Sequence, residues 1–188
     1  MADVVRVACF GDSLTEGYGL APDEALPTVL EELLADVGIP SDCRNFGISG
    51  DTSGDGLERL DEVLASAPDA AIVAFGANDC FLDEPVSRVE SNMTAILDAF
   101  AERHIPVLLV GITAQLNPNA EYQRRFEAIF PALSERYALP LFPNILAPYF
   151  GNSELMLLDG THPNAVGVRE IACAMLPQVK ALAIAARD

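Results

Sequence analysis

Short apolar runs alternating with longer amphipathic ones constrain the fold of this chain more than any other feature of its sequence. Residues 4–10, 43–46, 70–76, 106–111 and the brief 139–142 are the strand candidates. Between the first two, Leu26, Val29, Leu30, Leu33, Leu34 and Val37 recur at helical spacing and stop at Gly38, a residue suited to a helix C-terminus. Leu57, Leu60, Val63 and Leu64 repeat in the same way ahead of Pro68. Pro85 suits the first turn of a further helix, whose Val89, Met93, Ile96, Leu97 and Phe100 would face a sheet. Residues 122–133 and 168–182 supply two more helices.

This pattern predicts an α/β fold. Right-handed crossovers between parallel strands place helices on both sheet faces, giving a three-layer α/β/α sandwich with a flavodoxin-like, mostly parallel five-stranded sheet. The chain has 188 residues, is 51% hydrophobic and shows no internal repeat or Ser/Gly linker, so one domain over 1–188 is expected. A formal net charge of -17 and a single lysine, Lys180, make nucleic acid and anionic membrane surfaces poor partners. No apolar run is long enough for stable membrane insertion. Met1-Ala2-Asp3 leads straight into an apolar run with no basic leader, which reads as cytoplasmic, or as periplasmic or secreted for a processed mature form. Cys9, Cys43, Cys80 and Cys173 form no C-x-x-C and neighbour no histidine, so free thiols are expected and neither metal nor cofactor is called for.

Open parallel sheets bind ligands beyond the carboxyl ends of their strands, so function is sought in the residues that follow each strand. The first is followed by Gly11-Asp12-Ser13-Leu14 and the second by Gly47-Ile48-Ser49-Gly50-Asp51-Thr52-Ser53. The third runs into Gly76-Ala77-Asn78-Asp79, and after the fifth and a loop stands Asp159-Gly160-Thr161-His162-Pro163-Asn164. These blocks deliver a hydroxyl, glycine amides, a carboxamide, a carboxylate and an imidazole to one rim. Acyl transfer needs those groups as nucleophile, oxyanion donors, base-orienter and base.

The four blocks, in this order, resemble those of the SGNH (GDSL-type) hydrolases, within them the bacterial arylesterase, thioesterase and lysophospholipase branch. The likeness covers almost the whole chain. It departs at Ala77, where the branch often has a second glycine, and at Cys80, where glycine is frequent. The resemblance implies a serine hydrolase cleaving a small-molecule acyl ester or thioester through an acyl-enzyme on Ser13, with Asp159 and His162 completing the triad. It also implies an oxyanion hole built from the N–H groups of Ser13 and Gly50 and the Asn78 amide. Acyl transfer to an alcohol, or deacetylation of a carbohydrate, would use the same groups.

Each residue also has a plainer reading. A serine in this position can simply cap a helix, and glycine or asparagine can simply serve a turn. Of the two histidines, His104 lies where a helix hands over to the fourth strand at its amino end, the opposite rim, and reads as structural. Asp12, Asp51 and Asp79 read as loop braces. A nucleotide-binding module is the rival from another class. The glycines at 47, 50, 54 and 56 follow a strand and open a helix, but they match neither G-x-G-x-x-G nor the P-loop. Oligomeric state, acyl length and leaving group stay open.

Overall fold

The computed structural model describes residues 4–115 and 117–187, so the opening Met1-Ala2-Asp3 lies outside it. Five strands, β1 (Val5–Gly11), β2 (Ser41–Gly47), β3 (Ala70–Ala74), β4 (Val107–Val110) and β5 (Leu141–Phe142), form one sheet in the order β2-β1-β3-β4-β5. Every pairing is parallel. β3 and β4 are buried throughout, and their Ala-Ala-Ile-Val-Ala and Val-Leu-Leu-Val runs are the continuous apolar text of strands covered on both faces. β2 is an edge strand and reads differently. It begins two residues earlier than its apolar pattern suggests, because Ser41 and Asp42 pair with Val5 and Arg6.

Helix α2 (Leu26–Asp36) packs against the closing helix α9 (Ala165–Ala185) on one sheet face. The right-handed rule puts the β2–β3, β3–β4 and β4–β5 connections on the other. There lie α3 (Ser53–Glu58), α4 (Leu60–Ala65), α6 (Val86–Glu102), α7 (Ala120–Glu127) and α8 (Ile129–Tyr137). Two short helices, α1 (Ser13–Glu16) and α5 (Ala77–Phe81), spring directly from the carboxyl ends of β1 and β3. Among the described residues no helix is long and apolar enough to cross a membrane, and all four cysteines are free.

Two expected helices are each broken in two. The 57–64 repeat starts earlier, at the Thr52 cap that Asp55 closes reciprocally, and then breaks at Arg59. Arg59 leaves helical geometry while its guanidinium reaches Asp51 Oδ2 (2.6 Å), the Phe46 carbonyl (2.8 Å) and the Gly11 carbonyl (2.9 Å). The 122–133 repeat breaks at Ala128, because Pro131 supplies no N–H and its ring would strike the carbonyl four residues back, at Glu127. Gly38 follows α2 with φ 79°, the left-handed turn expected of it, and Pro85 stands just before α6 rather than inside its first turn.

Candidate active site

β1 and β3 are neighbours whose chains leave the sheet in opposite directions, and the crevice between their carboxyl ends is where such sheets hold ligands. Asp12 caps α1, accepting the Leu14 N–H at 3.0 Å, and so sets Ser13 as the first helical residue. As the opening residue, Ser13 has a backbone N–H with no acceptor inside the helix. The helix can lie this close to the sheet because residue 47 is glycine. A Cβ there would stand 2.2 Å from the Glu16 nitrogen.

The imidazole comes from the loop before α9. His162 Nε2 lies 3.0 Å from Ser13 Oγ, and Nδ1 lies 2.7 Å from Asp159 Oδ2. The second Asp159 oxygen accepts the N–H groups of Thr161 (2.9 Å) and His162 (3.0 Å). Partial desolvation pushes the Asp159 carboxyl up, but those two N–H groups and the His162 ring outweigh it and hold the pKa at about 2, so the group is ionised at neutral pH. Around this turn, Leu157 N–H donates to the His162 carbonyl (2.8 Å) and the buried Tyr149 hydroxyl donates to the Thr161 carbonyl (3.0 Å). Asn164 caps α9 directly behind, and the Tyr18 ring lies 4.5 Å from the His162 ring. Neither tyrosine carries a motif that would mark it in the sequence.

Asn78 sits in α5 beside the same cavity, and its Nδ2 donates to the Asp51 carbonyl at 2.8 Å. An amide nitrogen has two hydrogens, so one ties the second-block loop in place while the other is available to the cavity. Gly50 lies in that loop with φ 92°, a conformation only glycine adopts cheaply, and is exposed. Ser13, Asn78, Asp159 and His162 thus line one cavity, and Gly50 is an exposed residue of the loop that Asn78 holds through the neighbouring Asp51 carbonyl. His104 lies between α6 and β4, at the amino end of that strand, away from the cavity.

The braces are more engaged than their turn chemistry suggests. Asp79 is buried and accepts both the N–H (2.8 Å) and the hydroxyl (2.5 Å) of Ser53. Burial pushes its pKa up against those hydrogen bonds. Asp12 is 2% exposed, and burial raises its pKa to about 7, with Asp79 and Asp51 adding to the effect and the Leu14 N–H opposing it. Arg59 pairs with Asp51 and lies 4.8 Å over the Phe10 ring, joining β1, β2 and the second-block loop.

The cavity holds about 470 Å³, a usual volume for a small-molecule site. Leu14, Ile112, Leu146 and Phe150 give it an apolar wall. Phe81, which also lines the cavity, is exposed. A hydroxyl, an imidazole and a carboxylate in hydrogen-bonded series over an apolar chamber can carry out acyl transfer without a bound metal or organic cofactor.

Comparison with known proteins agrees with that chemistry. Residues 9–169 match the model of the GDSL-like lipase/acylhydrolase family. An arylesterase of Vibrio mimicus is 31% identical over 159 residues, 84% of this chain and 80% of the relative. The thioesterase 1/protease 1/lysophospholipase L1 of Escherichia coli K12 is 31% identical over 173 residues, 92% of this chain and 82% of that protein. The crystal structure of AlinE4, an SGNH-hydrolase family esterase, superposes with a TM-score of 0.82 at 38% identity, covering 95% of this chain and 96% of that one. The chain belongs to the GDSL-like lipase/acylhydrolase family and is a carboxylic ester hydrolase on the SGNH fold.

Proposed function

We propose that this chain hydrolyses small-molecule carboxylic esters, acyl thioesters included, through an acyl-enzyme on Ser13. His162 Nε2 takes the Ser13 proton as Oγ attacks the carbonyl carbon. Asp159 holds the imidazole with Nδ1–H donating, so that Nε2 is the basic nitrogen, and stabilises the imidazolium that forms. The carbonyl oxygen becomes an oxyanion facing the Ser13 N–H, the Gly50 N–H and the free hydrogen of Asn78 Nδ2. His162 then gives its proton to the departing alcohol or thiol. Water, deprotonated by the same nitrogen, attacks the acyl-enzyme and frees the acid and Ser13.

The observation that carries this reading is the unbroken series from Ser13 Oγ through both His162 nitrogens to Asp159, opening on an apolar cavity. The names of the arylesterase and thioesterase relatives support the substrate class. The test is a panel of nitrophenyl esters and acyl thioesters of graded chain length, run on the wild type and Ser13→Ala. Hydrolysis of several short to medium esters is expected, with kcat falling by something on the order of 10⁶ in the variant. A fluorophosphonate should label Ser13 alone. A single adduct on Ser49, Ser53 or Ser153 would overturn the assignment.

A further inference from the structure

One wall of the cavity carries a charge that the hydrolytic chemistry does not use. Asp83 follows α5 and lines the chamber together with Cys80, Phe81, Asn117 and Pro118. Its backbone has φ 55°, a left-handed conformation that aspartate tolerates better than most residues. Its carboxylate is held in place by Asn117 Nδ2, which donates to Oδ1 at 2.6 Å. Asn117 is itself buried and fixed on two other sides. Its Oδ1 accepts the Asn119 N–H (2.9 Å), and its carbonyl accepts Gln123 Nε2 (2.5 Å). The carboxylate is therefore fixed at the cavity wall.

Among the described residues no ion pair includes Asp83; Arg88 pairs with Glu84 and Arg124 with Glu121. The described residues lining the cavity include two aspartates, Asp83 and Asp159, and no lysine or arginine. Asp159 is hydrogen-bonded to His162 at the catalytic end, so Asp83 is, among the described residues, the one carboxylate lining the cavity on the wall of Cys80 and Pro118, away from the reacting groups. The Cys80 thiol on the same wall responds to this surrounding: burial first, then Asp83, Asp79 and Glu127 push its pKa up to about 11. Asp83 is exposed, so its charge acts across water and is open to screening by salt, while the apolar wall behind it focuses the field into the cavity.

We propose that Asp83 sets the charge preference of the acyl chamber, admitting neutral acyl groups and rejecting those that carry an anionic tail. The inference rests on the ester-hydrolase reading above and adds to it a residue that selects substrate without touching the reacting atoms. Paired substrates of equal length test it: 4-nitrophenyl valerate against mono-4-nitrophenyl glutarate, and 4-nitrophenyl octanoate against mono-4-nitrophenyl suberate. The wild type should turn over the anionic member of at least one pair about tenfold less well in kcat/KM. Asp83→Asn keeps the acceptor for Asn117 and removes the charge, and should narrow that ratio threefold or more. Asp83→Glu, which returns the charge, should restore it. Dividing the wild-type ratio by the variant ratio cancels the intrinsic reactivity of each ester.

Raising NaCl to 0.5 M should narrow the ratio in the wild type, a readout that does not depend on any variant folding. Equal ratios in the wild type and Asp83→Asn, or a wild-type ratio indifferent to salt, would overturn the assignment of Asp83 while leaving the hydrolase intact. Failure of the wild type to hydrolyse even the neutral esters would overturn the hydrolase reading, and this inference with it.

Discussion

Replacing Asp12 by asparagine should make the protein more stable at neutral pH and hardly change it in mild acid. Asp12 is 2% exposed and holds its proton up to about pH 7, against an ordinary value of 3.8. Between those two values the folded chain carries a proton on Asp12 that the unfolded chain has lost. Unfolding then releases a proton, so stability falls as pH rises through this window and levels off above it. Holding that proton to about pH 7 corresponds to roughly 4 kcal/mol in full, of which about 2–3 kcal/mol is lost between pH 5 and pH 8. Asparagine caps helices as well as aspartate does, so its Oδ1 can keep the Leu14 N–H while nothing titrates. Urea unfolding of both proteins at pH 5, 6, 7 and 8 gives the difference curve, from which every other titration common to both cancels. The stability gain from Asp12→Asn should grow by about 2–3 kcal/mol across that range. A gain or loss independent of pH would refute the claim that a buried, proton-holding carboxyl stands next to the candidate nucleophile.

The remaining predictions probe the site. Asn78→Ala should lower kcat by about 10²–10³ with KM nearly unchanged, and Asn78→Asp should do at least as badly because a carboxylate repels the developing oxyanion. Activity of Asn78→Asp within a few-fold of wild type, with thermal stability unchanged, would remove Asn78 from the site. His162→Ala should abolish turnover while His104→Ala leaves kcat nearly unaltered, and steady-state kinetics showing comparable losses in two folded variants would contradict the placement of His104. Arg59→Leu strands Asp51 and two strand-end carbonyls and should cost roughly 3–5 kcal/mol in denaturant unfolding. Arg59→Lys, a compact point charge without the planar fork, should recover less than half of that, and full recovery would show that charge alone matters at this position.

The parts of the fold written in apolar pattern were legible from the sequence, and the parts written in side-chain reach were not. β3 and β4 could be read because burial on both faces demands an unbroken apolar run. The first two residues of β2 could not, since an edge strand pairs through backbone groups that tolerate Ser41 and Asp42. The break at Arg59 depends on carbonyls contributed by two strands, which no local period encodes. Pro131, by contrast, announced its break, and only the strength of the surrounding repeat hid it. At the site, the short spacing from Asp159 to His162 made their pairing legible, and the strand-end rule put Ser13 and Asn78 on the same rim. Asn78's hold on the Asp51 carbonyl, the Tyr149 prop under Thr161 and the burial of Asp12 arise from three-dimensional neighbours alone.

The Asp159–His162 turn has one more consequence. Carboxylate, imidazole and the N–H groups that hold the carboxylate all lie within residues 159–162, while the step from His162 to Ser13 spans 149 positions of sequence. The Asp159–His162 pair is therefore a local unit, held by contacts that do not include Ser13. Repacking the helices between Ser13 and this turn can leave that pair whole while changing the gap between Nε2 and Oγ. On the proposed mechanism, remote substitutions act on rate through that gap and through the placement of Asn78. A lineage adapting to colder or hotter surroundings can thus adjust its rate by repacking distant helices, with the Asp159–His162 pair itself left untouched.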